Sequence, residues 1–325
     1  MTIVEGADRA TLQRRTMGTL MTSAVPAGMA MAGSFAAAAV LGEDITGSKT
    51  LGGLAGSFVP VGSALATVPL ARLMATRGRG PGLIAGWMFG LVGATLALLA
   101  AITQAYVLLP VGMLGIGIAS AANLTTRYAA VDLATDENRA RTLGIVVWAA
   151  TIGSVLGPTI ALGGAGVAAE AVRLPKLAGP YVLAIALFVV AMWVVRARLH
   201  PDPLVAAGGL TDSTAPRPPV RQALGRIWAN PSARLAAGAM VVGHAVMVGV
   251  MTMTPLHMKD GEHELQIIGF VISLHIVGMY AFSPIVGWLV DLAGARTMIA
   301  IGGATLFVGA EMASHTDPED SMGVF

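Results

Sequence analysis

Long stretches without Asp, Glu, Lys or Arg dominate the 325-residue chain, and they predict its secondary structure. A bilayer core about 30 Å thick needs roughly 20 apolar residues in a helix, which satisfies its own backbone hydrogen bonds in hydrocarbon. The stretches that meet this requirement are Met17–Leu41, Leu51–Ala71, Pro81–Ile102, Val107–Thr126, Thr142–Gly163, Leu177–Val195, Leu235–Leu256, Leu265–Val290 and Thr297–Ala313. The pattern predicts an all-α, polytopic helical membrane protein with about nine spans.

Basic residues separate into two unequal sets when the spans are threaded alternately through a membrane. With a cytoplasmic N-terminus, 16 of them fall in cytoplasmic segments and 4 fall outside. Because cytoplasmic loops carry the excess of Lys and Arg, this split predicts a multi-pass protein with its N-terminus in the cytoplasm. The first apolar run follows Arg14 and Arg15 but is too long for a signal peptide, so we expect an uncleaved first helix.

Composition narrows the class of protein. Apolar residues make up 55% of the chain and charged residues 12%, against about 25% charged in soluble domains, which excludes an ordinary cytosolic enzyme. A net charge of +2 gives no reason to expect nucleic acid. The chain has no cysteine, no phosphate-binding loop and neither a G-x-S-x-G nor an H-E-x-x-H motif, so we predict no cofactor and no metal.

The spans are divided unevenly along the chain. Residues 1–196 hold six spans, residues 197–233 form a Pro-, Gly- and Arg-rich cytoplasmic linker, and residues 234–325 hold three spans and the apolar start of a tenth at Ser321–Phe325. Within the linker, Val220–Ala229 is either a short amphipathic helix on the membrane surface or a solvated connector. We therefore expect a two-half transporter with an incomplete, C-terminally truncated second half.

A loop motif follows span eight. Its glycine, acid, glycine and arginine have the spacing G-x-x-x-D-x-x-G-x-R and are Gly287, Asp291, Gly294 and Arg296. The motif resembles the loop between the second and third helices of each half in the major facilitator superfamily (MFS). The loop after span two resembles a second copy, which keeps Gly78 and Arg79 but has Ala75 in place of the acid.

The resemblance implies a gating role for the complete copy. Gly294 permits a tight turn, and Asp291 can face the positive N-terminal end of a neighbouring helix. By the family's symmetry that helix is span five, which begins beside Arg139 and Arg141. The contact would hold the cytoplasmic side shut; the alternative is a solvated loop acid.

Span five carries a second motif of the family. Gly144, Gly153, Gly157 and Pro158 have the spacing G-x8-G-x3-G-P and resemble the motif of MFS antiporters. The resemblance implies that Pro158 kinks the helix and that Gly153 and Gly157 leave a flat face on which a helix of the other half can rock. Ordinary close packing is the alternative.

The family's fold has two six-helix halves around a midplane cavity lined by spans one, four, seven and ten. The resemblance implies a bacterial, antiporter-like MFS transporter in the inner membrane that is not an enzyme and that exports a small molecule by proton-coupled alternating access, as a monomer. Two alternatives stand beside it. One is a truncated remnant that does not transport, and the other is an integral-membrane enzyme, for which the required cluster of His, Asp, Glu or Ser at one depth is missing.

Candidate substrate and proton residues are few. No Asp or Glu lies near the middle of a span, so the titratable groups at depth are His244 in span seven and His275 in span eight. We expect His244 to contact the proton or substrate, or to be a neutral packing histidine, and His275 to be structural. Asn123 and Arg127 in span four could meet a polar or anionic substrate, although Arg127 also fits a positive-inside anchor.

Overall fold

A computed structural model describes residues 7–134, 139–210 and 220–316, and these ranges contain helices and no strand. The helices of the first six spans are α1 (Ala7–Thr46), α2 (Lys49–Arg77), α3 (Arg79–Thr103), α4 (Leu108–Val131), α5 (Arg139–Thr159), a π-helix (Ile160–Ala165) with α6 (Gly166–Ala171), and a 3₁₀ turn (Lys176–Ala178) with α7 (Gly179–Arg198). The remaining helices are α8 (Pro203–Ala206), α9 (Val220–Ala229), α10 (Pro231–Asp260), α11 (Leu265–Ala281), α12 (Ser283–Ala293) and α13 (Ala295–Ser314).

The described ranges contain eight helices that are long and apolar enough to cross a membrane. They coincide with eight of the nine predicted spans, so the all-α, polytopic class is confirmed. Of the predicted linker, the segments 197–210 and 220–233 are described and include α8 and α9. The predicted start of a tenth span, Ser321–Phe325, lies outside the described residues.

Span eight differs from its prediction as one continuous helix over Leu265–Val290. The structure ends α11, of 17 residues, at Ala281 and begins α12 at Ser283. Pro284 lies in the first turn of α12, where a backbone N–H has no partner within the helix and its absence costs nothing. Because Pro284 has no N–H, it could not continue the hydrogen bonding of α11. The sequence prediction followed the apolar run and overlooked this proline.

Small residues let the first helices approach closely. Gly93 of α3 and Gly112 of α4 each face the other helix's backbone, and a methyl group at Gly112 would lie 2.6 Å from the Gly93 carbonyl oxygen. Such small-residue contacts replace the hydrophobic driving force, which is absent between helices in lipid. Trp87, Tyr181 and Phe188 are fully buried among these helices and fill the wider gaps. The result is a closely packed six-span body.

The later helices pack on this body over smaller surfaces. The end of α10 contacts α1 and α2, α11 packs against α5, and α13 lies against α10 and α12. Met240 on α10 and Phe307 on α13 are 74% and 70% exposed. Apolar side chains at such positions are what a helix in contact with lipid presents. This arrangement leaves a cavity between the six-span body and the helices α10 and α11.

Candidate functional site

The cavity has a volume of about 320 Å³ and is mostly apolar, as small-molecule sites commonly are. Six helices line it. Its residues are Gly28, Met31, Ala32 and Phe35 of α1, Val59, Pro60 and Ser63 of α2, Ser120, Asn123, Leu124 and Arg127 of α4, Ala150, Thr151 and Ser154 of α5, His244, Met247, Val248 and Met251 of α10, and Ile276, Met279 and Tyr280 of α11. Of the predicted lining spans, spans one, four and seven are found and span ten lies outside the described residues; spans two, five and eight also line the cavity.

Asn123 and Arg127 project into the cavity from successive turns of α4. Arg127 is half-buried, and it has no hydrogen bond or ion pair to any described residue. The Oδ1 atom of Asn123 is buried without a hydrogen-bond partner. A buried acceptor or cation without a partner is costly, so both side chains can gain from a ligand or water.

The two histidines are placed differently. His244 of α10 lines the cavity that Asn123 and Arg127 also line, whereas His275 of α11 is half-buried and does not line it. Instead, α11 presents Tyr280 and its neighbours on that side. Among the described lining residues there is no Asp or Glu. The structure thus brings three of the four predicted substrate and proton candidates together.

Ion pairs close one end of the cavity. At the end of α10, Lys259 Nζ lies 3.0 Å from Glu43 Oε2 of α1, and Asp260 pairs with Lys49 at the start of α2. Below these pairs, Leu256 is buried and Thr252 lies against Gly56 of α2. The six-span body and α10 are therefore joined at this end, which we call the closed end.

The ion pair between Lys49 and Asp260 also affects the protonation of Lys49. A hydrogen bond from the Lys49 ammonium to Asp260 raises the pKa of Lys49 above its ordinary value of 10.5, with a smaller contribution from the charge of Glu43. Both residues lie at the ends of their helices, outside the charge-free runs Leu51–Ala71 and Leu235–Leu256. The ammonium is therefore charged throughout the neutral range.

Span five contacts both parts of the molecule, but not as the antiporter motif implied. Gly153 and Gly157 face α1 of the same half, so the expectation that they face a helix of the other half is wrong; a methyl group at Gly157 would lie 2.7 Å from the Met29 carbonyl oxygen. The helix of the other half, α11, meets the next turn. There Thr159 Oγ1 lies 2.8 Å from Ser273 Oγ.

Pro158 marks the change between these two contacts. It lacks an N–H, and the helix becomes a π-helix two residues later, at Ile160–Ala165. A methyl group at Gly269 of α11 would lie 2.6 Å from the Pro158 carbonyl oxygen. Gly144 lies within α5 before these contacts. The π-helix begins next to the contact between α5 and α11, and the kink at Pro158 itself stays a prediction.

The two loop-motif copies have the same backbone turn. Gly78 has φ 100° and ψ 170° between α2 and α3, and Gly294 has φ 83° and ψ 149° between α12 and α13. Only glycine adopts such angles without strain. Arg296 donates a hydrogen bond of 3.3 Å to Ser232 Oγ at the start of α10. Gly287 lies within α12, and the side chain of Asp291 is outside the described part of the structure.

Arg79 of the first copy is held by a carboxylate that the sequence did not single out. Its Nε and Nη2 donate hydrogen bonds of 2.7 and 2.8 Å to the two oxygens of Asp132, which ends α4. These bonds, together with the charge of Asp132, raise the pKa of Arg79. Asp202 of the linker accepts a hydrogen bond of 2.7 Å from the Gly80 amide at the start of α3. Two acids therefore anchor this turn, although Ala75 replaces the motif's own acid.

Sequence reasoning missed the residues that join distant segments. They are Glu43, Lys49, Lys259 and Asp260 at the closed end, and Asp132 and Asp202 at the opposite end. Opposite charges at the same predicted membrane side were a signal for the first four. Their pairing could not be read from one sequence, because residues more than 200 positions apart must meet.

Comparison with known proteins identifies the class. A polytopic helical fold with a central cavity between two sets of spans is the architecture of many secondary transporters. The chain matches the Major Facilitator Superfamily over residues 19–318. It belongs to that family, and its setting is a bacterial membrane that it crosses several times.

Individual relatives agree with this assignment. The chain is 32% identical over 318 residues to the uncharacterized MFS-type transporter YddS of Bacillus subtilis (strain 168), covering 96% of this chain and 72% of that protein. It is 34% identical over 314 residues to the uncharacterized MFS-type transporter YdeG of the same organism, with the same coverage. The family implies a small-molecule substrate and membrane embedding.

Proposed function

We propose that this protein exports a small molecule across the bacterial inner membrane by proton-coupled alternating access. The observation that carries the proposal is the cavity between the six-span body and α10, into which His244, Asn123 and Arg127 project. Ion pairs join the two parts at one end of this cavity. A site between two bodies that are joined at one end is the arrangement that rocking requires.

His244 is the proposed proton site. Histidine changes charge near neutral pH, and ionisable groups at membrane depth are rarely kept without a function. The other titratable groups among the described lining residues are Arg127 of α4 and Tyr280 of α11. Asn123 and Arg127 would bind a hydrogen-bonding group of the substrate, while Met31, Met247 and Phe35 would adapt to its apolar part.

The orientation and the second gate complete the proposal. With a cytoplasmic N-terminus the closed end would face outward, and this conformation would be the one open toward the cytoplasm. Asp291 would hold the cytoplasmic side shut in the other state, against the start of span five. The sequence resemblance of span five to the antiporter motif supports exchange for protons, although its glycines pack on α1 and not on the other half. A single copy of the chain would suffice.

The test uses the full chain in proteoliposomes with an internal pH indicator. A growth screen against toxic compounds first supplies substrates to which the expressed protein gives resistance. We expect such a substrate to move protons in wild type and in His275→Gln, and to move them at least tenfold more slowly in His244→Gln. Substrate movement without any proton flux would overturn the coupling. Absence of resistance together with absence of substrate movement would overturn transport.

A further inference from the structure

The linker helix α9 exposes a continuous apolar stripe. Leu224, Ile227 and Trp228 lie on one face at helical spacing and are 59%, 39% and 69% exposed. Arg226 lies on the opposite face, whereas Arg221 lies one turn before Leu224 and borders the stripe; both arginines are exposed. A helix with this division of residues has a polar side suited to water and an apolar side that water does not solvate well.

The chain places α9 next to the membrane surface. Its last residue is followed by Asn230, whose extended backbone (φ −97°, ψ 115°) turns the chain into α10, a spanning helix. The Asn230 side chain accepts hydrogen bonds from the Ser232 and Ala233 amides, and Pro231 occupies the first turn. Because the helix is interrupted here, α9 does not continue the axis of α10 into the membrane.

Positive charge is concentrated around the same point. Arg221 and Arg226 on α9, Arg234 on the first turns of α10 and Arg296 at the start of α13 are all exposed. None of them forms an ion pair with a described carboxylate. Each arginine close to an anionic membrane surface strengthens attraction about fivefold. An apolar stripe alone fits any membrane, whereas these charges select one with anionic headgroups.

We propose that α9 is an interfacial anchor that lies in the headgroup layer and binds anionic phospholipid. Leu224, Ile227 and Trp228 enter the acyl boundary, and Arg221 and Arg226 meet the phosphates. The anchor fixes the start of α10 at the membrane surface. The contact is independent of which substrate the cavity takes. Only its assignment to the cytoplasmic leaflet rests on the proposed orientation.

The experiment exploits the absence of cysteine from the chain. Full-length Leu224→Cys and Gln222→Cys are each labelled with the environment-sensitive fluorophore NBD and reconstituted in vesicles that contain phosphatidylglycerol and a doxyl-labelled phosphatidylcholine quencher. We expect quenching to be severalfold stronger at position 224 than at 222. Equal, weak quenching at both positions would show a solvated connector. A blue-shifted but unquenched label at 224 would show packing against protein, and either result overturns the proposal.

The charge requirement is tested separately. Replacing phosphatidylglycerol by phosphatidylcholine should lower quenching at position 224, and Arg221→Gln/Arg226→Gln should abolish that dependence. Arg72→Gln, an exposed arginine at the end of α2, is the matched control and should retain it. If the double variant behaves as this control does, the anionic lipid is not the ligand. The readout is fluorescence, so loss of transport activity does not affect it.

Discussion

Glycine decides whether α1 and α5 can come together. A methyl group on Gly153 would fall well inside van der Waals contact with the Val25 carbonyl, which is backbone and has no way to rotate aside. By contrast, a methyl group on Gly164 would meet nothing within 4 Å. The two glycines lie on the same span but differ in the space available to a side chain, so Gly164 can serve as the control for Gly153.

We therefore expect Gly153→Val to destabilise the protein and Gly164→Val to leave it unchanged. Overpacking of this kind costs about 1–3 kcal/mol. The measurement is the midpoint of thermal unfolding in detergent, followed by size-exclusion chromatography. Equal midpoints for the two variants would mean that α1 and α5 are not in backbone contact.

The Arg79–Asp132 pair should stabilise the end of α4. Its side chains are 19% and 10% exposed, and the two-point geometry makes it stronger than an ordinary surface pair. Arg79→Gln should lower the free energy of unfolding by about 2 kcal/mol. The double variant Arg79→Gln/Asp132→Asn should lose less free energy of unfolding than the sum of the losses in the two single variants. Arg77→Gln, at an exposed neighbouring residue, is the control. Strict additivity in this cycle would refute the pairing.

At the scale of helices, the sequence predicted what depends on local composition. Charge-free runs located α1 to α4, and the loop motif predicted the turn at Gly294. The break at Phe282 was missed because apolar residues continue through it. The face of Gly153 and Gly157 was assigned to the wrong helix, since the identity of a packing partner depends on the whole bundle. The cavity was predicted only as a set of lining spans, which the family resemblance supplied.

The ion pairs between α1, α2 and α10 should hold the closed end shut. Lys259→Glu places a second carboxylate beside Glu43. In a protein that also carries Leu256→Cys, at a buried position, this change should make labelling by N-ethylmaleimide severalfold faster. The exchange Glu43→Lys/Lys259→Glu should restore slow labelling, whereas Glu262→Lys, on an exposed residue, should have no effect. Fast labelling of the exchanged variant would show that the Glu43–Lys259 ion pair does not hold the closed end shut.

The pH dependence of the closed end follows from the raised pKa of Lys49. A raised lysine pKa gives stabilisation that is complete below 10.5 and is lost only as the pH rises through the higher folded-state value. Labelling of Leu256→Cys, corrected for the intrinsic reactivity of a free thiol, should therefore not increase between about pH 6 and pH 9. An increase over that interval would show that another group controls the closed end.

For the whole molecule, the arrangement of contacts makes the two ends of the cavity interdependent. A close-packed six-span body changes shape little, so we expect separation of α10 from it at the closed end to be accommodated by rotation of α10 and α11 about the cavity. Glycine-lined contacts such as that of Gly269 with Pro158 offer a surface for this rotation. Such a rotation lengthens distances at one end and shortens them at the other.

Spin labels at both ends test this rotation. One pair joins Thr50→Cys and Gly261→Cys at the closed end, and the other joins Arg72→Cys and Arg234→Cys at the opposite end, each in the chain that otherwise lacks cysteine. Adding Lys259→Glu should lengthen the first distance and shorten the second, while Glu262→Lys should change neither. If the first distance grows and the second stays fixed, α10 merely bends at its end. The cavity would then open at both ends at once, which cannot support alternating access.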